Sequence, residues 1–263
     1  MYGQLSRENY TINGRITSGN NVLMYASIGI VEKNVGTISD DQGIFKLEIP
    51  TEFLNEFLTI SHIGFVTKKI KIDSILNTDL LKVELEEELI SLDEVLIIAE
   101  RKKKYKLKEF GNKKKHDLFF WLQDVDKGKG SEIVTLINPK NEILIKSVSL
   151  NILNLNEENF FLLLNIYDLD KKSKLPKNQL LKKQKIIESN QAKGWLKIDL
   201  TSERIIIDEP FYIGFQWINI DRPVPLIGGT SNSPKNSLIR YKVMGTWKKF
   251  AEWDIKIEAE VNK

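Results

Sequence analysis

The sequence predicts an all-β protein made of two sandwiches, and three observations carry that prediction. Apolar residues alternate with polar ones in short runs, such as Phe45, Leu47 and Ile49 or Ile255, Ile257, Ala259 and Val261, which is the two-residue period of a half-buried strand. Turn chemistry breaks the runs at Gly14, Ser18-Gly19-Asn20, Asp40-Asp41-Gln42-Gly43 and Gly64. The chain of 263 residues is 41% hydrophobic, enough for two cores and too much for a disordered polymer.

The first unit is expected at 8–88. Ile28 and Ile30, the segment Gly36-Thr37-Ile38, the run Ile44 to Ile49 and the stretch Leu80 to Leu85 read as its strands. Asp40 to Gly43 must reverse the chain between 36–38 and 44–47, read here as a hairpin in which Gly43 supplies a positive φ without steric cost. Gly36, Thr37, Ser39, Asp40, Gly43, Phe45 and Leu47 stand in the order G-T-x-S-D-x-x-G-x-F-x-L. This pattern resembles the carboxypeptidase-regulatory-like domains, small sandwiches of the transthyretin (prealbumin) type. Two departures are local: Leu23-Met24-Tyr25-Ala26 replaces a frequent Pro-Leu before Ala, and His62-Ile63-Gly64-Phe65 stands where the family has a Gly-Tyr pair.

The resemblance implies an exported protein of a Bacteroidota-type envelope, in the periplasm or at the outer membrane and cell surface. Met1 to Arg7 lacks the apolar core of a signal peptide, so either the chain is cytosolic or its export signal was removed ahead of this numbering, and the resemblance favours the second. Leu92-Asp93-Glu94-Val95 resembles the segment that leads from this domain into the plug of TonB-dependent transporters of the starch-uptake type. Only about 150 residues then remain, too few for a transmembrane barrel of ordinary size, and no apolar run approaches a membrane-spanning helix.

Residues 89–130 are expected to be a linker. The net charge of +3 conceals an asymmetry: Arg101 to Lys115 holds nine basic residues and one acidic, a net +8, which leaves −5 on the rest. Arg101, Lys102, Lys103, Lys104, Lys113, Lys114 and Lys115 form the basic patch. It reads as a solvated hinge or as an anchor for anionic lipid. With no aromatic platform or base-reading fold beside it, nucleic acid is not an expected partner.

The second unit, 131–263, reads as eight or so strands with no long helix, a jelly-roll-like sandwich. Ile143 to Leu155 alternates; Phe160 to Tyr167 is apolar almost throughout, as a central strand packed on both sides would be. The runs F-L-L-L-N-I-Y-D, G-W-L-K-I-D-L-T and F-Y-I-G-F-Q-W-I resemble galactose-binding-like jelly rolls.

No catalytic constellation is legible. The two histidines, His62 and His116, lack H-x-x-E or H-E-x-x-H spacing, so they read as structural or surface residues, and no metal or cofactor is expected. Cysteine is absent, which removes thiol chemistry and disulfides. Gly128-Lys129-Gly130-Ser131 and Gly228-Gly229-Thr230-Ser231 read as turns rather than phosphate loops. The scattered carboxylates Asp168, Asp170, Asp199 and Asp208 have the chemistry to pair for acid and base work or to bind calcium, but Asp168 and Asp170, at a strand end before Lys171-Lys172, read as a solvated turn. Of the five tryptophans, Trp217 is assigned to the core and Trp195 to either core or surface; Trp247 and Trp253, with Tyr241, are the candidates for stacking on a ligand. The expected role is non-catalytic: an exported binding, scaffold or accessory protein whose partner is an envelope protein or a glycan. The alternative is a carbohydrate-binding module, or a non-catalytic part of a carbohydrate- or peptide-processing system.

Overall fold

Strand pairing sorts the chain into two sandwiches of two sheets each. The computed structural model describes residues 9–88, 105–111, 118–121, 130–153, 159–218, 226–230, 236–250 and 252–262. In the first unit the long strand Asn9–Ser18 is flanked antiparallel by Ile44–Pro50 and Asn21–Val22 and parallel by Leu81–Glu84. The second sheet runs in the order Val35–Ile38, Ser27–Ile30, Phe57–Ser61 and Lys68–Lys71, all antiparallel. Alternation decides which side chains meet: Ile12, Ile16, Ile28, Ile30, Phe45, Leu47, Ile49, Leu58 and Ile60 close the core between the sheets.

The Asp40–Gly43 reversal is not a hairpin. Val35–Ile38 and Ile44–Pro50 belong to different sheets, so the turn carries the chain across the sandwich. Asp40 Oδ1 accepts from the backbone N–H of Gln42 at 2.9 Å and of Ile44 at 2.8 Å, which closes the corner, and Gly43 has φ 71° with the Ile16 carbonyl where a Cβ would stand.

In the second unit one sheet centres on Ile143–Leu153, flanked by Lys193–Asp199 and by Ile255–Asn262. The facing sheet runs Phe160–Leu169, Phe211–Trp217, Glu132–Ile137, Ser237–Arg240, Lys248–Phe250. The chain crosses repeatedly from one sheet to the other, in the manner of a jelly roll, around a core that includes Val148, Leu150, Leu162, Leu164, Phe215, Trp217, Trp253 and Ile257.

The expected linker is partly sandwich. Tyr105–Gly111 pairs antiparallel with Ile255–Asn262 from Tyr105↔Asn262 to Gly111↔Lys256, and Leu118–Trp121 pairs with Leu226–Thr230. The second unit therefore begins near residue 105 rather than 131, and the hinge expectation fails over 105–111. Lysines obscured the strand because they sit on an outermost one, where charge discourages pairing with another chain. Arg101, Lys102, Lys103, Lys104, Lys113, Lys114 and Lys115 lie outside the described residues.

Phe160–Leu169 is buried on both faces, and its second partner is the first unit. Leu162, Leu164 and Ile166 point into their own core, while Leu163 packs with Ile38, Ile218 and Val243 at a seam between the sandwiches. The first unit brings small residues to this seam. A Cβ on Gly36 would collide with the Val243 carbonyl oxygen, and one on Gly29 would stand 3.2 Å from it. Polar contacts fasten the same join: Glu32 N–H donates to Met244 O at 2.8 Å, and Asn34 Oδ1 accepts from Thr246 N–H at 3.0 Å.

Candidate functional site

Where the two sheets diverge from the seam they leave a groove. Its larger chamber, about 510 Å³, has Tyr25, Ser61, His62 and Phe65 of the first unit on one wall and Asn165, Tyr167, Gln179 and Arg240 of the second on the other. A neighbouring chamber of about 410 Å³ reaches Glu32, Asp170 and Trp247. Ser61, Thr67, Lys177, Arg240 and Met244 border both chambers, so they form one continuous cleft.

The second unit's wall follows from strand alternation. Leu162, Leu164 and Ile166 face the core, so Leu163, Asn165 and Tyr167 face the first unit; by the same parity Gln216 and Arg240 join them through the pairs Gln216↔Glu132 and Glu132↔Arg240. At its centre lies Glu132, with no exposed surface. Arg240 Nε donates to its Oε2 at 2.8 Å and Asn165 Nδ2 to its Oε1 at 2.8 Å. Tyr167 Oη donates to Oε2 at 3.4 Å, and Gln179 Nε2 donates to Asn165 Oδ1 at 2.9 Å. Trp247 covers the guanidinium, with Arg240 Cζ 4.6 Å from its ring centroid. Burial, then the Glu132 charge, pushes the Tyr167 hydroxyl well above its ordinary pKa. Burial pulls the Arg240 guanidinium down, but Glu132 and Tyr167 outweigh it and its pKa stands raised. A carboxylate engaged by Arg240, Asn165 and Tyr167 is a structural brace that fixes the wall.

On the opposite wall, His62 Nδ1 lies 2.9 Å from Ile63 O and Nε2 3.2 Å from Met24 O. Burial lowers its pKa, against the two carbonyls and Gln184, which raise it. Gln184 Nε2 crosses the groove to donate to Met24 O at 3.3 Å.

Backbone strain gathers here too. Tyr25, Glu32, Asn34 and Met244 have φ between 56° and 62°, a region that costs a residue with a side chain about 1–3 kcal/mol, and all four stand at the seam or line the groove. Such strain persists where surrounding contacts over-determine it, which is characteristic of binding sites.

The aromatic residues singled out in the sequence separate. Trp247 is half-buried and lines the groove. Tyr241 is 39% exposed with Lys248 Nζ over its ring, and it lines neither chamber. Trp253 has no exposed surface and donates its indole N–H to Thr135 Oγ1, so it cannot stack on a ligand; it faces inward because it belongs to the short strand Glu252–Trp253 paired with Leu226–Thr230. Trp217 is fully buried in the core and Trp195 is 40% exposed. Among the described residues no group of three or more His, Asp or Glu is placed to hold a metal ion. Glu132, Asn165, Gln216 and Arg240 escaped the sequence reading, although a polar residue inside an otherwise apolar strand, as in L-L-L-N-I and F-Q-W, was their signal.

The fold of the first unit agrees with comparison to known proteins. Residues 12–97 match the family model of the CarboxypepD_reg-like domain. The N-terminal unit is a CarboxypepD_reg-like domain. Over 90 residues the chain is 30% identical to TonB-dependent receptor P3 of Formosa agariphila, a stretch that makes up 34% of this chain and 8% of the receptor. The chain thus spans a small part of that protein's length. The CarboxypepD_reg-like family is non-catalytic, and the domain together with the similarity to a TonB-dependent receptor fits an envelope-associated accessory role. Among the described residues no helix is long and apolar enough to cross a membrane.

Proposed function

We propose that this chain is a non-catalytic, exported accessory protein of the bacterial envelope, and that the groove between its sandwiches is where it binds its partner. The observation that carries the proposal is the coincidence, in one cleft built from both units, of three strained residues, Tyr25, Glu32 and Met244, and a braced polar wall. Neither unit alone makes the cleft, so a regulatory-like domain that would otherwise be an appendage acquires a role as one half of a site. The relative's printed name, a TonB-dependent receptor, supports an outer-membrane setting for the partner.

The test is retention of purified protein on envelope membranes from the native cell, measured by co-sedimentation. Ser61→Arg, which fills the junction of the two chambers, should abolish retention, whereas Lys46→Gln, on the remote sheet of the first unit, should leave it intact. Retention that ignores Ser61→Arg, or no retention at all, overturns the proposal.

A further inference from the structure

Resting on the reading of the groove as a binding site, we infer that its ligand is an uncharged oligosaccharide. Charge is the first argument. Arg240 is neutralised by buried Glu132, and Lys177 Nζ lies 3.3 Å from an Asp170 carboxylate oxygen. Among the described residues lining the two chambers, the charged groups without an opposite partner are the exposed carboxylates Glu32 and Glu88. Among the described lining residues, a phosphate, sulfate or carboxylate entering the groove therefore meets no free cation and two like charges, and its lost hydration is not replaced there.

Hydrogen-bonding capacity is the second argument. The hydroxyls of Tyr25, Ser27, Ser61 and Thr67 line the larger chamber and bond to no described protein group. Asn178 spends its amide N–H on Asp168, and Gln216 spends its own on Gly130 O; each leaves its amide oxygen without a donor among the described residues. The wall thus offers hydroxyls that donate and accept beside amide oxygens that accept, the complement of a ring of hydroxyl groups on a sugar. Sites that hydrogen-bond substrate hydroxyls reject analogues lacking them because the site's polar groups are then left unpaired.

Shape supplies the third. The rings of Phe65 and Tyr25 in one chamber and Trp247 in the other give apolar surface beside the polar groups, as the C–H face of a pyranose requires. Each chamber lies within the size range of small-molecule sites, and their shared border at Ser61, Thr67 and Lys177 lets one chain of several sugars occupy both.

The test is a glycan array followed by calorimetric titration with neutral cello-, xylo-, malto- and laminari-oligosaccharides and with anionic oligogalacturonate. At least one neutral glycan should bind, with an affinity unchanged between low and high salt, because no charge pair forms. Ser61→Ala and Thr67→Val should each weaken it about three- to tenfold, the loss of one hydrogen bond per hydroxyl. Trp247→Ala should weaken it further; since that change also uncovers Arg240, the two hydroxyl variants, with melting points matching the parent, decide the question. Binding confined to the anionic glycan, steep salt dependence, neutral binding indifferent to Ser61→Ala and Thr67→Val, or no neutral binder on the array would each overturn the inference. Envelope retention that depends on Ser61 but is not competed by neutral glycan assigns the groove to a protein partner: the sugar inference then falls while the accessory role stands.

Discussion

Single residues set the groove's limits. Removing one partner of a buried ion pair leaves the other charge uncompensated, at about 3–5 kcal/mol. Arg240→Met should therefore destabilise the second unit by that amount in denaturant titration, and adding Glu132→Gln should recover much of it; equal losses in the single and double variants would show that packing against Trp247, not charge, is the main contribution. Asp170 tests the same logic at the surface. Bonds from the backbone N–H groups of Ser173 and Lys172, with Lys177 nearby, lower its pKa to about 2. A depressed carboxylate contributes stability that is present above its unfolded pKa of about 3.9 and is lost as pH falls through the folded value. The stability gap between the parent and Asp170→Asn should thus be widest near neutrality and close toward pH about 2. His62 carries the opposite demand. Burial favours its neutral form, so nothing is lost above the unfolded pKa of about 6.5, and stability falls as acid protonates the unfolded chain first. The parent should lose stability from pH 7 to 5 more steeply than His62→Gln, measured by melting point across that range.

At the scale of elements, what the sequence disclosed depended on which side chains a strand presents. Ile143–Leu153 and Ile255–Asn262 were legible because each alternates apolar residues that face a core with polar residues on its other face, even though Ser147, Ser149 and Asn151 are themselves buried. Phe160–Leu169 was read correctly as packed on both sides, yet nothing local could say that Ile38 of another unit covers its far face. The small residues Gly29, Gly36 and Ser61 looked unremarkable for the same reason: a docking face avoids both the charge of a solvated surface and the bulk of a core. The edge strand Tyr105–Gly111 was hidden by its lysines, and the Asp40 corner was mistaken for a hairpin because turn chemistry specifies a reversal without specifying which sheet receives the next strand. The edge strand yields a direct prediction. Compared with a fragment that begins at residue 105, one that begins at 112 leaves Ile255–Asn262 unpaired along seven residue pairs and lacks the half-buried Phe110 contact with the core, so it should melt earlier and associate through its open edge in sedimentation measurements. A fragment that stays monomeric with an unchanged melting point would show the strand to be dispensable.

For the whole molecule, the question is whether two sandwiches behave as one body. Leu163, Ile218 and Val243 would face water on an isolated second unit, as Ile38 would on the first, and the hydrogen bonds that Glu32 and Gln184 donate and Asn34 accepts cross the same boundary. A groove made of both walls keeps its geometry only while that boundary holds. Gly36 offers the sharpest way to break it, since its neighbour across the seam is the Val243 backbone carbonyl, which cannot swing aside as a flexible side chain would. Gly36→Leu forces either a shift of the strand within its own sheet or separation of the units. Separation is the expected outcome, because overpacking costs about 1–3 kcal/mol and a contact between domains yields before a ladder of backbone hydrogen bonds does. The parent should then unfold in a single calorimetric transition, whereas Gly36→Leu should show two, with the groove's ligand lost although Ser61, Thr67 and Arg240 are all unchanged. Two transitions already present in the parent would mean that the units are coupled too weakly for the seam to shape the site, and retention of ligand binding in Gly36→Leu would place the binding surface on one sandwich alone.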